Sequence, residues 1–559
     1  MNPGLIDTTK DYFENEEFLK IFQKVYIESA HEFVVMLDEI SEKYSSNLFW
    51  WVSITASRSP SKSPLYKEFC IVKSIQSFSL LYGKKYQFLV SSFSQKLVLR
   101  QNLEGKCPEI YVKKKKQSPY ELLKNYFRPT YFFLNKLIHL MMINFHFSKL
   151  KINSPITLAE VFLSPTENHE RYYPRLETFL SLKKTERIFF VPTIINTNFC
   201  NLFNVVNKIK EDRKNYFFRE LYLGFSDLLD AVTYKKKLLK LASKHNSQNQ
   251  SSKINLETLI NSSLKSEPFN SLSAEGILNY KFLKNLNKEG CVEILNFIDW
   301  WENTPMDKGA NLAMNHFFSK TSVRGYMGFV PNKFSFQLSP SKQERLCRVT
   351  PMSIGVIGEA FIPILKRFDS VISPFVAPAF RFAHLKNSIS KSRKYFLILL
   401  SIDPYESQKM IEIISKTTRF FPNINFIIKS HPGAGKLAIN QNIKKIKNFS
   451  IDNSSSVDKL LFHTKILITA SPSAALEGIV RSTPALILNH STSIPENIIP
   501  DSIPSNLWGS FNDVDSLKKE IEQLQLQDSN SNTKMNAVNL NHYFNLPNNK
   551  NVDDFFKCI

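Results

Sequence analysis

The sequence predicts an α/β protein of two doubly wound lobes, with helical insertions in the first, and three observations carry that prediction. The chain has 559 residues, more than a single hydrophobic core usually serves, so two large lobes are expected. Short apolar runs alternate with helical patterns throughout the C-terminal third, which is the signature of repeated βαβ units. Strand-like runs recur less regularly through residues 1–390, with helical stretches between them.

In the C-terminal third, FLILL (396–400) reads as a buried strand, followed by a helix across QKMIEIISKTTRF. INFIIK (424–429) is the next strand, and SSVDKLLFHT supplies a short helix. ILITA (466–470) is a third strand, SPSAALEGIV the helix behind it, and PALIL (484–488) a fourth strand. Together these define a second lobe over 391–525. The first lobe, 1–390, carries strand-like runs at FWWVSITA, YQFLVSSF, RIFFVPTII, VEILNFI and SIGVIG. SKHNSQNQSSK (243–253) reads as a polar linker within it, and 526–559 as a polar tail.

Composition narrows the function classes. A hydrophobic fraction of 43% with 22% charged residues belongs to a folded globular chain. The formal net charge of +22 favours polyanions, whether nucleic acid, anionic lipid or phosphorylated small molecules. Zinc-finger spacing, RNP-type aromatics and a basic leucine zipper are all lacking, so nucleic acid is not the expected partner. Six cysteines stand singly at 70, 107, 200, 291, 347 and 558, without the spacing of a zinc site. The acidic, polar start MNPGLIDTTKDYFENEEF does not resemble a secretory signal, so a cytoplasmic location is expected.

No run approaches the ~18 consecutive apolar residues of a spanning helix. One segment, Lys113 to Phe147, joins a lysine run to aromatic and aliphatic helical sequence. It fits either an interfacial anchor on an anionic membrane or a buried helical pair with a solvated lysine loop.

In open α/β sheets, ligands bind beyond the carboxyl ends of the strands, which directs attention to SIDPYES, SHPGAGK and SPSAALEG. In the last of these, Ser471 is placed to cap a helix, Pro472 suits its first position and Ser473 adds a hydroxyl, so a phosphate would meet free N–H groups and the positive end of the dipole. Glu477 follows one turn later, within reach of ribose hydroxyls. His431 is held extended by the proline after it, where its imidazole can bond a phosphate oxygen. GAGK is not a P-loop: Ser430 and Leu437 occupy positions where glycine and a hydroxyl residue are required. Asp513-Val514-Asp515 has the look of a metal-binding DxD, but it opens a helix, where acidic residues complement the dipole. No essential metal or other cofactor is expected.

These residues carry a family likeness. The run from KYFLILLSIDPYES through FIIKSHPG to DKLLFHTKILITASPSAALEGIVRSTPALIL resembles the donor lobe of bacterial GT-B glycosyltransferases of the capsule polysaccharide, polysialyl and glycerophosphate transferase type. The upstream segments FWWVSITASRSPSKSPLY, RYYPRLETFLSLKKTERIFFVPT, DWWENTPMDKGANLAMNHFF, RGYMGFVP and VAPAFRFAHL look like surface carbohydrate (capsule or O-antigen) biosynthesis proteins. The resemblance implies two Rossmann-like lobes. His431, Ser471 and Ser473 would be phosphate contacts, Glu477 a ribose contact, and a nucleotide-sugar, by analogy a CMP-sugar, the donor. A glycan or lipid-linked glycan would be the acceptor.

Inverting transfer requires a base beside the acceptor hydroxyl and stabilisation of the departing phosphate. Glu302, near the end of VEILNFIDWWEN where an apolar strand gives way to a carboxylate, is the candidate base, with Asp299 and Asp307 as local alternatives and a surface position or pairing with Lys308 as the competing structural role. Arg381 is placed to neutralise phosphate or to pair structurally. The acidic motif of polysialyl transferases has a glycine after paired acids, whereas Glu302 lies between Trp301 and Asn303. Two other readings share the architecture: a nucleotide-sugar 2-epimerase and a non-catalytic assembly partner.

Overall fold

The computed structural model describes the chain from Gly4 to Phe556 apart from residues 11–12, 61, 104–106, 114–117, 153, 166, 196, 198, 213–214, 244–255, 333, 387–392, 402, 432–447, 471, 490–498 and 530–537. Past Ser243 the polar stretch 243–253 lies outside the described residues, as do GAGK and Ser471. Fifteen strands form three parallel sheets among the described residues.

β1 (Gly4–Asp7), β2 (Tyr86–Val90) and β3 (Glu109–Val112) make a small sheet within an N-terminal helical region. The first large sheet contains β4 (Ile156–Leu163), β5 (Ile188–Ile194), β6 (Ile294–Trp300), β7 (Ser322–Met327), β8 (Ser353–Val356) and β9 (Ser373–Val376), in the order β5-β4-β6-β7-β8-β9. The second contains β10 (Tyr395–Leu399), β11 (Asn425–Lys429), β12 (Phe449–Ile451), β13 (Thr464–Thr469), β14 (Ala485–Leu488) and β15 (Trp508–Phe511), in the order β12-β11-β10-β13-β14-β15. Both are open, all-parallel and doubly wound, so the expected GT-B-like pair of Rossmann-like lobes is present.

Burial in the second lobe follows strand alternation. Phe396 and Ile398 pack on one face with Met410, Ile414, Leu517 and Ile521, whereas Leu397 and Leu399 point to the other, with Leu467, Ala475 and Leu476. A sheet covered on both faces is what a near-continuous apolar run such as FLILL requires. Asp403 of SIDPYES accepts hydrogen bonds from the Tyr405 and Glu406 amides and caps the helix Pro404–Thr417. Asp513 accepts from the Ser516 amide at 2.8 Å, where helix Val514–Ser529 begins.

Two segments differ from the sequence expectation. FWWVSITA is not a strand: Asn47 accepts from the Phe49 and Trp50 amides and starts a helical turn at Leu48–Trp51, followed by a 3₁₀ turn at Thr55–Ser57. Trp50 and Trp51 are fully buried, and an unbroken apolar run cannot by itself distinguish a buried turn of helix from a buried strand. Lys113–Phe147 contains one continuous helix, Pro119–His146, rather than a helical pair.

The chain leaves the first lobe through a 3₁₀ segment, Phe380–Lys386, and comes back to it at its C-terminal end. Helices Leu540–Tyr543 and Asn549–Phe556 lie on the first lobe, where the Asn545 carbonyl accepts from the Ala379 amide at 2.7 Å. The buried Phe555 and Phe556 rings pack on Tyr326, Tyr173 and Phe380.

Candidate active site

The switch point of the first sheet lies between β4 and β6, whose following loops diverge and leave a crevice. Glu302 occupies the turn after β6. The chain there passes through Asn303 in the left-handed region (φ 53°), a conformation asparagine tolerates well. Thr304 and Asp307 then form a capping box at the start of helix Pro305–Phe317. Asp307 accepts from the Glu302 amide at 3.0 Å and from the Thr304 amide at 2.8 Å, so the helix start itself holds Glu302 in place. The helix is fixed in turn by a glycine crossing with helix Ser271–Glu289, because a Cβ on Gly309 would lie 2.0 Å from the Gly276 carbonyl oxygen.

Glu302 is open to solvent on a concave surface. Desolvation by the surrounding protein raises its pKa, and the Trp300 indole, Lys62, Arg381 and Arg171 act in the opposite direction. The indole donates to Glu302 Oε1 at 3.2 Å. Arg171 comes from the loop after β4 and Arg381 from the 3₁₀ segment between the lobes. Lys62, Arg381 and Arg171 thus all favour the charged carboxylate, the form in which a base accepts a proton.

Asp299 and Asp307, the alternatives to Glu302, are buried (0% and 2% exposed). They meet Glu160 of β4 in a cluster whose carboxylate oxygens lie within 4.8 Å of one another, a spacing that could also hold a metal ion. Asn311 donates to Asp299 at 2.6 Å. Desolvation pushes the Glu160 carboxyl up to about 7, and desolvation together with the mutual repulsion of the cluster raises Asp299 and Asp307 well above the usual range. The folded protein therefore binds more protons than the unfolded chain between the ordinary carboxylate range and about 7. The stability this cluster contributes is fully present below that window and is lost as pH rises through it. Urea unfolding is expected to give a lower midpoint at pH 8 than at pH 6, with the difference reduced in Glu160→Gln; equal midpoints would refute the raised carboxyls of this cluster.

Lys308 does not pair with Glu302. It is fully buried, with Nζ 2.7 Å from Glu344 Oε1 and 2.9 Å from the Ala56 carbonyl.

The second sheet has its switch point between β10 and β13. Helix Pro472–Val480 begins close behind β13, with Ser473 half-buried in its first turn. His431 follows β11, and both desolvation and Arg171 lower its pKa, keeping the imidazole neutral near pH 7. Glu477 reaches across to the 3₁₀ segment, where its Oε2 lies 2.8 Å from His384 Nε2. Arg481 donates to the His384 carbonyl at 2.9 Å and pairs with Asp458. Arg171 thus acts electrostatically on Glu302 of the first lobe, on Arg381 of the connecting segment and on His431 of the second lobe. Arg171, Lys62 and His384 have no motif in sequence and join the site only through folding.

A cavity of about 640 Å³ adjoins this region, between helix Pro119–His146 and the end of β5. Arg128, Lys136, Asn270 and Glu275 contribute its polar groups, and Met306, in the helix that follows Glu302, forms part of its wall.

No protein-family model matches the sequence, and no curated protein matches it. Among solved structures, the UDP-GlcNAc 2-epimerase of Neisseria meningitidis bound to UDP-GlcNAc is similar over 72% of this chain and 98% of its own, with 13% identity and a TM-score of 0.40. The Methanocaldococcus jannaschii UDP-GlcNAc 2-epimerase, in complex with UDP-GlcNAc and UDP, shares 14% identity over 72% and 98% of the two chains, with a TM-score of 0.39. A glycosyltransferase from Rickettsia africae covers 72% and 96%, at 12% identity and a TM-score of 0.36. Likeness at this level carries no substrate from those proteins to this chain.

Proposed function

We propose that the cleft binds a nucleotide-linked sugar and transfers the sugar to an acceptor hydroxyl, with Glu302 as the base. The observation that carries this reading is the solvent-open Glu302 carboxylate, acted on by Arg171, Arg381 and Lys62, with Arg171 acting also on His431 of the second lobe. In the reaction, the acceptor oxygen bonds to the anomeric carbon as that carbon's bond to phosphate breaks, and the acceptor proton passes to Glu302. The leaving phosphate gains negative charge, which Arg381, Arg171, His431 and the N-terminal end of helix Pro472–Val480 would stabilise. Ser471 and Ser473 would add hydroxyl contacts and Glu477 a ribose contact. The 640 Å³ cavity is suited to the acceptor side because it reaches Met306 beside the Glu302 turn. A CMP-linked donor, a surface-polysaccharide or lipid-linked acceptor and a metal-independent reaction complete the proposal.

A second reading is epimerisation of the nucleotide-sugar. It is favoured by one observation: Glu302 and His431 place one titratable group on each lobe, as proton removal and return on opposite faces of a carbon requires. The two readings diverge when the protein meets a nucleotide-sugar alone in deuterated water. Transfer predicts an unchanged sugar until acceptor is added, whereas epimerisation incorporates deuterium at the inverted carbon.

Donor class is read by thermal stabilisation with CMP, CDP, UDP and GDP. Binding confined to the folded state gives about 2.7 kcal/mol at a hundredfold excess over Kd. One nucleotide is expected to stabilise the protein, with the shift lost in His431→Ala and reduced in Ser473→Ala. No shift with any of the four would leave the non-catalytic reading.

A further inference from the structure

The helix Pro119–His146 is inverted relative to an ordinary surface helix. Its buried positions include Lys136, which pairs with Glu275 at 2.6 Å, and His139, whose Nε2 lies 3.1 Å from the Thr197 hydroxyl. Its outward face is apolar: Tyr120, Leu123, Phe127, Tyr131 and Leu134 are each more than half exposed. The stripe runs on through Met141 to Phe145, which is 84% exposed. Successive members are separated by three or four residues, or by seven across the half-buried Ile138, so they form one line along the helix. At 1.5 Å per residue that line is about 39 Å long. A stripe of this length on the surface of a folded protein marks an interaction surface.

We infer that this face docks on an anionic membrane surface, with the helix lying in the plane of the interface. Charge selects the occupant. In sequence the lysine run Lys113–Lys116 ends three residues before Pro119, and exposed Lys124 and Arg128 flank the stripe. A second copy of this face would offer these cations no complementary charge, because Glu121 is the one carboxylate in the sequence of the helix. An anionic bilayer pairs the same cations with headgroups while taking the aromatic and aliphatic side chains below them. Among the described residues no helix is long and apolar enough to cross a membrane, so the attachment is one of surface docking. The cavity lined by Arg128, Tyr131 and Lys136 opens beside the docked face.

The test uses the full chain without substrate, so it stands apart from the proposed reaction. Co-sedimentation is measured with phosphatidylcholine vesicles, with and without phosphatidylserine, at low and high salt. The protein is expected to pellet with phosphatidylserine vesicles at low salt. Phe127→Ser combined with Phe145→Ser is expected to cut partitioning at least about tenfold, with unfolding temperature and gel-filtration volume unchanged because both side chains face outward. Replacing Lys114, Lys115 and Lys116 by glutamine is expected to remove the preference for phosphatidylserine. Failure to pellet with anionic vesicles, or unchanged partitioning in the serine variant, would overturn the inference. So would a dimer that the serine variant dissolves while neither protein binds vesicles.

Discussion

Glu302→Gln is expected to lower kcat by about 10²–10⁴-fold, the range for loss of a general base, while nucleotide affinity and unfolding temperature stay close to those of the unaltered protein. Glutamine keeps the size of the side chain and an oxygen for the Trp300 indole, and Glu302 is open to solvent rather than packed in the core. The pH profile adds a second, independent signature. A base works in its deprotonated form, so the rate should rise with pH through a midpoint above the usual glutamate range, given the raised pKa. Arg381 favours the charged carboxylate, so Arg381→Ala should move that midpoint to still higher pH as well as weakening phosphate binding. A Glu302→Gln protein with full turnover would remove this residue from the chemistry.

The second lobe was the more legible because its buried strands are apolar runs, and β10 is followed by an explicit helix start, from Leu399 to Asp403 and Pro404. The first lobe was obscured where apolar content outweighed periodicity. FWWVSITA reads as a strand on β-propensity, and only the Asn47 cap and the burial of both tryptophans turn it into helix. Glu302 could be picked out because a strand, a turn and a Pro305 helix start are consecutive in sequence. Its electrostatic partners could not. Arg171 and Lys62 act on Glu302 from separate loops, and Glu160 meets Asp299 because β4 pairs with β6, so the carboxylate cluster has no sequence signal. The outward stripe on helix Pro119–His146 was hidden for a related reason: a helix with apolar residues on more than one face looks buried until the fold shows which face is covered.

Glu344→Ala is expected to give the largest loss of stability, about 3–5 kcal/mol, the range for breaking a buried ion pair by removing one partner. Glu344 is 1% exposed and sits between two cations, Arg58 at 2% and Lys308 at 0%. Arg58 pairs with it through Nη2 and donates to the Ser339 carbonyl at 3.1 Å. Burial alone would raise the Glu344 carboxyl, but Arg58 and Lys308 outweigh that effect and hold it below the usual range. Alanine would leave both cations in the interior without a counter-charge, against a total stability of about 5–15 kcal/mol for a typical domain. Replacing all three together by apolar residues of similar size, Arg58→Met, Lys308→Met and Glu344→Leu, should recover much of the loss, because the penalty lies in the unpaired charges rather than in the space. Urea unfolding of the two proteins separates these cases, and a loss under about 1 kcal/mol for Glu344→Ala would refute the account. The network also reaches the site. Asn303 donates to Glu344 Oε2 at 3.2 Å, and Lys308 belongs to the helix whose start holds the Glu302 amide. A triple variant that regains stability but not turnover would therefore show that the buried charges hold the Glu302 turn in its working geometry, a role apolar packing cannot fill.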